Sequence, residues 1–349
     1  MSLWALPKGS PTDLQPRKGQ DMRILVTGGA GYIGSHTVRH LQEHGHSVSV
    51  YDNLSRGHAA SVPADIFTQG DLHDSNKLDH VMVTNQIEAV IHFAAFAQVG
   101  ESTKNPELYY RNNVAGTISL IDAMKRCNIT KLVFSSTCAT YGNPTVVPIV
   151  EETPQKPINP YGKTKLMVEW MLKDLCTSHK WSCASLRYFN AAGASPKGDI
   201  GEDHNPETHL IPLALNAALG RSKALEIFGN DYPTPDGTCI RDYIHVDDLA
   251  SAHRLALEKT LPGEHLCLNL GTAKGNSVHE ILNAVKDITG KPVPFTIGAR
   301  REGDPPALVA SCKKANLRLG WEASYKDIRD IIATAWRWHE SHPDGYNTR

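Results

Sequence analysis

The sequence predicts an α/β protein, a doubly wound parallel sheet joined to a smaller α/β domain. Three observations carry that expectation. Near the N-terminus a short apolar strand pattern runs straight into a glycine-rich turn and then a helical pattern. A second strand pattern ends in an acidic residue roughly twenty positions beyond the glycines. Strand and helix periodicities then alternate to about residue 186, where long polar loops begin to interrupt them.

The first strand is Arg23-Ile24-Leu25-Val26-Thr27, short, apolar and β-branched, as a strand buried on both faces requires. Gly28-Gly29-Ala30-Gly31-Tyr32-Ile33-Gly34 follows, G-x-G-x-x-G from Gly29 and G-x-x-G-x-x-G from Gly28. Glycines there allow a tight turn and let a pyrophosphate approach the backbone, with the next helix offering its N–H groups and positive dipole end. That helix runs to His44 and stops at Gly45. The second strand, Ser47 to Tyr51, delivers Asp52, placed to hydrogen-bond ribose hydroxyls and to repel a 2′-phosphate. A Rossmann-type fold holding NAD in preference to NADP is therefore expected, with Arg56 as the one residue nearby that could accept a phosphate. His36, His40 and His44 recur at i, i+4, i+8, but no cysteine or carboxylate cluster joins them. They read as a solvated helix face, and no metal site is expected.

A third strand near Asp65–Thr68 leads to Gly70-Asp71-Leu72, close to where an adenine would lie. A helix from Ser75 to Thr84, strand Ala89–His92 and the small residues after Phe93 come next, then a helix from Tyr109 to Cys127 carrying Asn112 and Asn113. The fifth strand, Lys131 to Phe134, ends in Ser135-Ser136-Thr137, which places Thr137 in the crevice beyond the strand ends. Strand Cys183–Leu186 follows. Beyond it, Asp242–Ile244 and Leu266–Leu270 are expected to return to the main sheet. The expected organisation is thus a disordered extension over 1–21, a cofactor domain over 22–188 that also receives 240–272, and a discontinuous second domain over 189–349.

Composition narrows the function. A formal net charge of −1 over 349 residues gives no general attraction to nucleic acid or an anionic membrane. No apolar run approaches the ~20 residues that cross a bilayer. Seven cysteines, scattered and without a C-x-x-C pair, suit reduced thiols in a cytoplasmic protein.

The chemistry gathers at Pro160-Tyr161-Gly162-Lys163-Thr164-Lys165. On a helix opened by Pro160, Tyr161 and Lys165 leave the same face one turn apart. A free phenol titrates near ~10, too high for a base at neutral pH. A fixed ammonium beside it, with a positively charged nicotinamide, is expected to lower that value.

These motifs together are similar to the extended short-chain dehydrogenase/reductase family. The blocks are T-G-G-A-G-Y-I-G-S-H, S-S-T-C-A-T-Y-G (Ser135 to Gly142), N-P-Y-G-K-T-K, L-R-Y-F-N (Leu186 to Asn190), Ile227 to Val246, and R-R-E-G-D (Arg300 to Asp304). The likeness runs from about Met22 to His339, and its C-terminal blocks resemble those of members that epimerise C4 of UDP-sugars. It implies Tyr161 as base, Lys165 as its activator and Thr137 as the hydroxyl that holds the sugar O4. It implies NAD contacts from Gly28, Gly31, Tyr32, Ile33, Gly34, Asp52, Asn53, Asp71, Leu72, Phe93, Asn112, Lys165 and Phe189. Asn190, His209, Arg241, Arg301 and Asp304 would hold the UDP-sugar, with Leu308 walling the sugar. A homodimer formed through two helices of the main domain is a frequent state of that family.

Two departures bear on this. Ala97 stands where some members have a lysine that touches the cofactor, and Thr rather than Ser fills the third position of the S-S-[ST] block. A 4,6-dehydratase would need a carboxylic acid and a carboxylate after Thr137, where this chain has Cys138-Ala139. A non-catalytic NAD-binding regulator would not need the Thr137, Tyr161 and Lys165 set. UDP-glucose and UDP-galactose are the default sugars, with UDP-pentoses or N-acetylhexosamines as alternatives.

Overall fold

In a computed structural model, which describes residues 21–301 and 303–346, the chain alternates strand and helix through its first half. The order is β1 (Arg23–Thr27), α1 (Tyr32–Glu43), β2 (Ser47–Asp52), β3 (Phe67–Gln69), α2 (Ser75–Thr84) and β4 (Ala89–His92). Short helices α3 (Val99–Lys104) and α4 (Pro106–Tyr109) precede α5 (Gly116–Arg126), β5 (Lys131–Thr137), α6 (Pro160–His179) and β6 (Ser182–Tyr188). The second half contributes β7 (Asn190–Ala192), α7 (Leu210–Ala218), β8 (Leu225–Phe228), β9 (Ile240–His245) and α8 (Val246–Lys259). It continues with β10 (His265–Leu270), β11 (Gly275–Ser277), α9 (Val278–Thr289), β12 (Phe295–Gly298), β13 (Ala307–Leu308), α10 (Lys313–Leu319) and α11 (Ile328–Ser341). The expected extension at 1–21 lies, but for Asp21, outside the described residues.

The main sheet has seven strands in the order β10-β6-β5-β4-β1-β2-β3, all parallel. The sense of strand order reverses between β1 and β4, so a crevice opens there beyond the carboxyl ends of the strands. Two apolar layers cover its faces. One packs α1 and α8 on the sheet through Val38, Leu41, Leu249 and Leu257; the other packs α2, α5 and α6 through Leu78, Leu120, Val168 and Leu172. A third cluster, with Ile211, Leu215, Ile281 and Ile332, joins α7, α9 and α11 around the small sheets.

Three expectations change. Strand β9 does not rejoin the main sheet: it pairs with β7, β11 and β13 in a separate four-stranded sheet. The outer place beside β6 belongs to β10 alone, and only the helix after β9 returns, packing on α1. The buried Asp242 carboxylate fixes β9 there by accepting from the backbone N–H groups of Thr272, Ala273 and Ala310. The helix expected over 109–127 is broken by a wide π-helical turn, Tyr110–Ala115, that presents Asn112 and Asn113. The His36 face is not solvated: His36 is buried and hydrogen-bonded to Asp247 at 2.6 Å, while His44 alone of the three is exposed.

Candidate active site

The sheet delivers its functional side chains by ending its strands at one level. Between β1 and α1 the chain turns through Gly28 at φ +72°, where a Cβ would stand 2.4 Å from the Ala94 backbone nitrogen. A Cβ on Gly34 would meet the Gly28 carbonyl at 2.2 Å. Only glycine fits either position, and the result is a close-packed turn aimed at the crevice. At the end of β2, Asp52 is buried and accepts from the backbone of Ala30 at 3.0 Å and Leu54 at 2.8 Å. Burial raises its carboxyl despite those bonds. Asn53 donates to Asp71 at 2.8 Å, tying the ends of β2 and β3 together. These residues fit a dinucleotide: a cradle that any Cβ would fill, and acidic acceptors for ribose hydroxyls. Arg56 is ion-paired with Glu101 and donates to the Asn205 carbonyl at 3.1 Å.

At the end of β5, Thr137 accepts the Ala139 N–H at 3.1 Å and turns the chain into a 3-10 turn. Helix α6 starts with Pro160 in its first turn and the Asn159 side chain accepting the Gly162 N–H. It carries Tyr161 and Lys165 on one face, as their spacing requires. Lys165 is 3% exposed, donates to the Ser135 carbonyl at 2.7 Å, and lies 4.8 Å above the Phe134 ring and 5.9 Å from the Tyr161 ring centroid.

The electrostatics differ from the expectation. Burial, and then the neighbouring Tyr188, push the Tyr161 phenol well above its usual value, and a hydrogen bond with Thr137 opposes this only in part. Burial lowers the Lys165 ammonium to about 7. In this environment desolvation governs both groups.

Behind Thr137, Glu169 and Arg187 form a bidentate ion pair, both nearly fully buried, and Ser136 donates to the same carboxylate. Arg187 also donates to Tyr141, whose hydroxyl reaches Asn269 on β10. This network stiffens the strand that presents Thr137. Across the crevice, Arg241 on β9 pairs with Asp304, and the Arg301 guanidinium lies 3.9 Å above the Phe228 ring. In the β9–β13 register Leu308 stands opposite Arg241.

Every residue that the resemblance assigns to base, cofactor or sugar lines one cavity of about 1250 Å³ between the main sheet and the second-half elements. Gly28, Gly31 to Gly34, Asp52, Asn53, Asp71, Leu72, Phe93 and Asn112 lie on the sheet side, and Thr137, Tyr161 and Lys165 at its centre. Phe189, Asn190, His209, Arg241, Arg301, Asp304 and Leu308 lie on the other side. Ala97 lines the same cavity. Sequence reading missed Glu202, His204 and Glu207, which the structure gathers with His209 so that their ligand-type atoms lie within 4.8 Å of one another. The spacing E-x-H-x-x-E-x-H was the available signal. Asn113, named from the sequence without a role, bridges the Phe96 backbone and Thr164 with its amide and so clips the wide turn to α6.

The NAD dependent epimerase/dehydratase family model matches residues 24–271. A UDP-glucose 4-epimerase of Halalkalibacterium halodurans is 52% identical over 328 residues, covering 94% of this chain and 98% of its own. Among solved structures, UDP-glucose 4-epimerase from Brucella ovis in complex with NAD aligns with TM-score 0.87 at 50% identity, covering 90% of this chain and 97% of that one. A UDP-glucose-4-epimerase from Stenotrophomonas maltophila, with bound NAD and formylated UDP-arabinopyranose, aligns with TM-score 0.88 at 41% identity, covering 92% and 99%.

Proposed function

The chain belongs to the NAD dependent epimerase/dehydratase family and is an NAD-dependent isomerase that inverts C4 of UDP-sugars; we propose that Tyr161, Thr137 and Lys165 carry out that inversion. The observation that carries the assignment is the convergence of Thr137, Tyr161 and Lys165 at the centre of the one cavity that also holds the glycine turn and Arg241.

Gly28, Gly31 to Gly34, Asp52, Asn53, Asp71, Leu72, Phe93, Asn112, Lys165 and Phe189 would hold NAD, which supplies a hydride acceptor and donor for C4. Tyr161 takes the proton of the 4-hydroxyl as the 4-keto sugar forms and returns it after the sugar has turned over. Thr137 holds O4 in line with the phenol. Lys165 lies close enough for its charge to favour the phenolate, and the positive charge of bound NAD would help offset the burial that otherwise keeps Tyr161 protonated. Asn190, His209, Arg241, Arg301 and Asp304 face the UDP-sugar, the arginines gripping its diphosphate. Cys138 and Ala139 beside Thr137 offer no acid–base pair for eliminating water, which argues against a dehydratase.

UDP-glucose and UDP-galactose are the substrates this reading favours. The chain divides into a cofactor domain over 22–188, which also receives β10 and α8, and a substrate domain built from the remainder. We further propose a cytoplasmic homodimer. Exposed Ile118 on α5 and Trp170 on α6, and an apolar groove between those helices, support it, as does the absence of any disulfide among the described residues. Among them no helix is long and apolar enough to cross a membrane.

Purified protein incubated with UDP-glucose, UDP-galactose, UDP-xylose and UDP-N-acetylglucosamine tests the assignment. Conversion of UDP-galactose without added cofactor, with NAD released on heat denaturation, is expected. Activity that depends wholly on added NADP overturns the cofactor assignment.

A further inference from the structure

We propose that Glu101 is a determinant of cofactor choice: it holds the Arg56 guanidinium away from a 2′-phosphate and so favours NAD over NADP. The adenosine ribose is taken to lie at Asp52, as in the function proposed above, on which this inference rests. Among the described residues, the lysines and arginines that line the cavity are Arg56, Lys165, Arg241 and Arg301. The last three have a part in that function. Arg56 has none, and it stands four residues beyond Asp52 on the loop that follows β2. In dinucleotide folds an arginine near that place accommodates a 2′-phosphate, whose oxygens match its planar fork. Left to itself, Arg56 would open the site to NADP.

The structure commits the guanidinium elsewhere. Its Nη2 donates to both oxygens of Glu101, at 2.8 and 3.0 Å, and its Nη1 donates to the Asn205 carbonyl at 3.1 Å. The centre of the group lies 5.4 Å from the Phe96 ring centroid. Glu101, on α3, is fixed from its other side. The hydroxyl of the fully buried Tyr109 donates to it at 2.9 Å and to the Gln98 carbonyl at 2.7 Å. The carboxylate therefore sets the place, and the longer arginine comes to it. Both partners are only partly buried, so the pair adds little to stability. Its effect lies in where the charge is put.

A 2′-phosphate carries more than one negative charge at neutral pH. At the ribose it would meet Asp52, whose two oxygens are held in place by the N–H groups of Ala30 and Leu54. With Arg56 paired to Glu101, no lysine or arginine at this end of the cavity offsets that repulsion. A second role for the pair is to tie the two sides together. The Arg56 bond to Asn205, with Gln98 donating to the Pro206 carbonyl at 3.0 Å, fastens the 205–206 segment to the sheet side. Were that the whole of Glu101's role, loss of its charge would loosen NAD and NADP alike. Control of cofactor choice instead changes their ratio, and only while Arg56 is present.

The test is cofactor exchange on the full-length holoenzyme. Protein is equilibrated with mixtures of NAD and NADP, freed of unbound nucleotide and denatured by heat, and the released nucleotides are separated by chromatography. Their ratio gives the constant for replacing NAD by NADP. Glu101→Gln keeps the shape and removes the charge, and should raise that constant by about tenfold or more, the order of one charge-assisted hydrogen bond gained by a phosphate. Glu101→Asp, which keeps the charge, should give a smaller rise. Adding Arg56→Met to Glu101→Gln should return the constant to the parent value, because the gain belongs to the pair. Arg56→Met alone should leave it near the parent value, and this variant decides the matter should Glu101→Gln fail to fold. A constant unchanged by Glu101→Gln, a rise that survives Arg56→Met, or a clear fall in Arg56→Met alone overturns the proposal. Each of those results leaves the function proposed above intact, since that reading fails instead if the parent chain releases no NAD.

Discussion

The two sides of the cavity are built by different means. The sheet side relies on backbone: glycines that tolerate no Cβ, strand ends held at one level, and an aspartate fixed by two main-chain N–H groups. The groups proposed to carry the chemistry, Tyr161 and Lys165, are buried on a helix. The far side relies on side chains from short strands and loops: Arg241, Arg301, Asp304 and Leu308 come from β9, β13 and the segment between β12 and β13. On the function proposed above, the sheet side would leave little room for variation without loss of cofactor or chemistry, whereas the far side could change sugar preference by small steps.

The largest test of that division is Tyr161→Phe. It keeps the ring and removes the proton acceptor, so kcat should fall by about two to four orders of magnitude. Binding of the UDP-sugar, measured calorimetrically, should barely change. A variant that loses sugar affinity as steeply as rate would show that the centre of the cavity does not separate chemistry from recognition.

Lys165→Met sharpens the same side. The loss of a charge near the phenol should move the pH–rate profile upward by about one to three units. Its stability effect has the opposite sense from that of an ordinary salt bridge. Burial lowers Lys165 to about 7 from 10.5, so between those values the unfolded chain binds the extra proton. The penalty for the buried ammonium is fully present below about pH 7 and fades as pH rises toward 10.5. NAD-depleted Lys165→Met should therefore gain most over the parent in thermal midpoint near pH 6 to 7, with the advantage shrinking by pH 9 to 10. A difference that is flat with pH would mean that Lys165 is not desolvated.

Gly34→Ala probes the backbone strategy alone. Its Cβ would press on the Gly28 carbonyl at 2.2 Å, with no flexible side chain to yield. Overpacking of this kind costs about 1–3 kcal/mol, so NAD retention should weaken by about tenfold to a hundredfold. Normal NAD content in the purified variant would show that the turn is looser than it stands here.

The same contrast explains what could be read from the sequence. Strands β1 and β4 announce themselves because a parallel strand buried on both faces is a continuous apolar run, and the glycine turn and Asp52 sit at spacings fixed by the βαβ unit. Strand β9 carried no such mark. Ile240 to His245 buries its last four residues in a row, much as a main-sheet strand does, and which sheet it joins is decided by Asp242 reaching three distant N–H groups. The same holds for His36, buried by an aspartate more than two hundred residues away. The raised Tyr161 and lowered Lys165 likewise depend on depth of burial, which i, i+4 spacing does not reveal.

Leu308 is the smallest and finest test of the far side. It lines the cavity and also packs against the buried cluster of Tyr141, Ile149, Phe189 and Ala310, so it belongs to both wall and core. Being opposite Arg241 in the β9–β13 register, it stands one residue pair from the group proposed to grip the diphosphate. A side chain of its size, bulkier than Cys or Ser and smaller than Tyr, should admit the 2-hydroxyl of glucose and galactose and crowd a 2-acetamido group. Leu308→Ser removes that crowding without touching the glycine turn or Tyr161. The ratio of kcat/KM for UDP-N-acetylglucosamine to that for UDP-glucose should rise by about tenfold or more, since relief of an apolar clash is worth ~1–3 kcal/mol. Some stability should be lost with the core contact, seen as a lower thermal midpoint at unchanged NAD content. An unchanged ratio with a lowered midpoint would assign Leu308 to the core alone and place the sugar wall elsewhere on the far side.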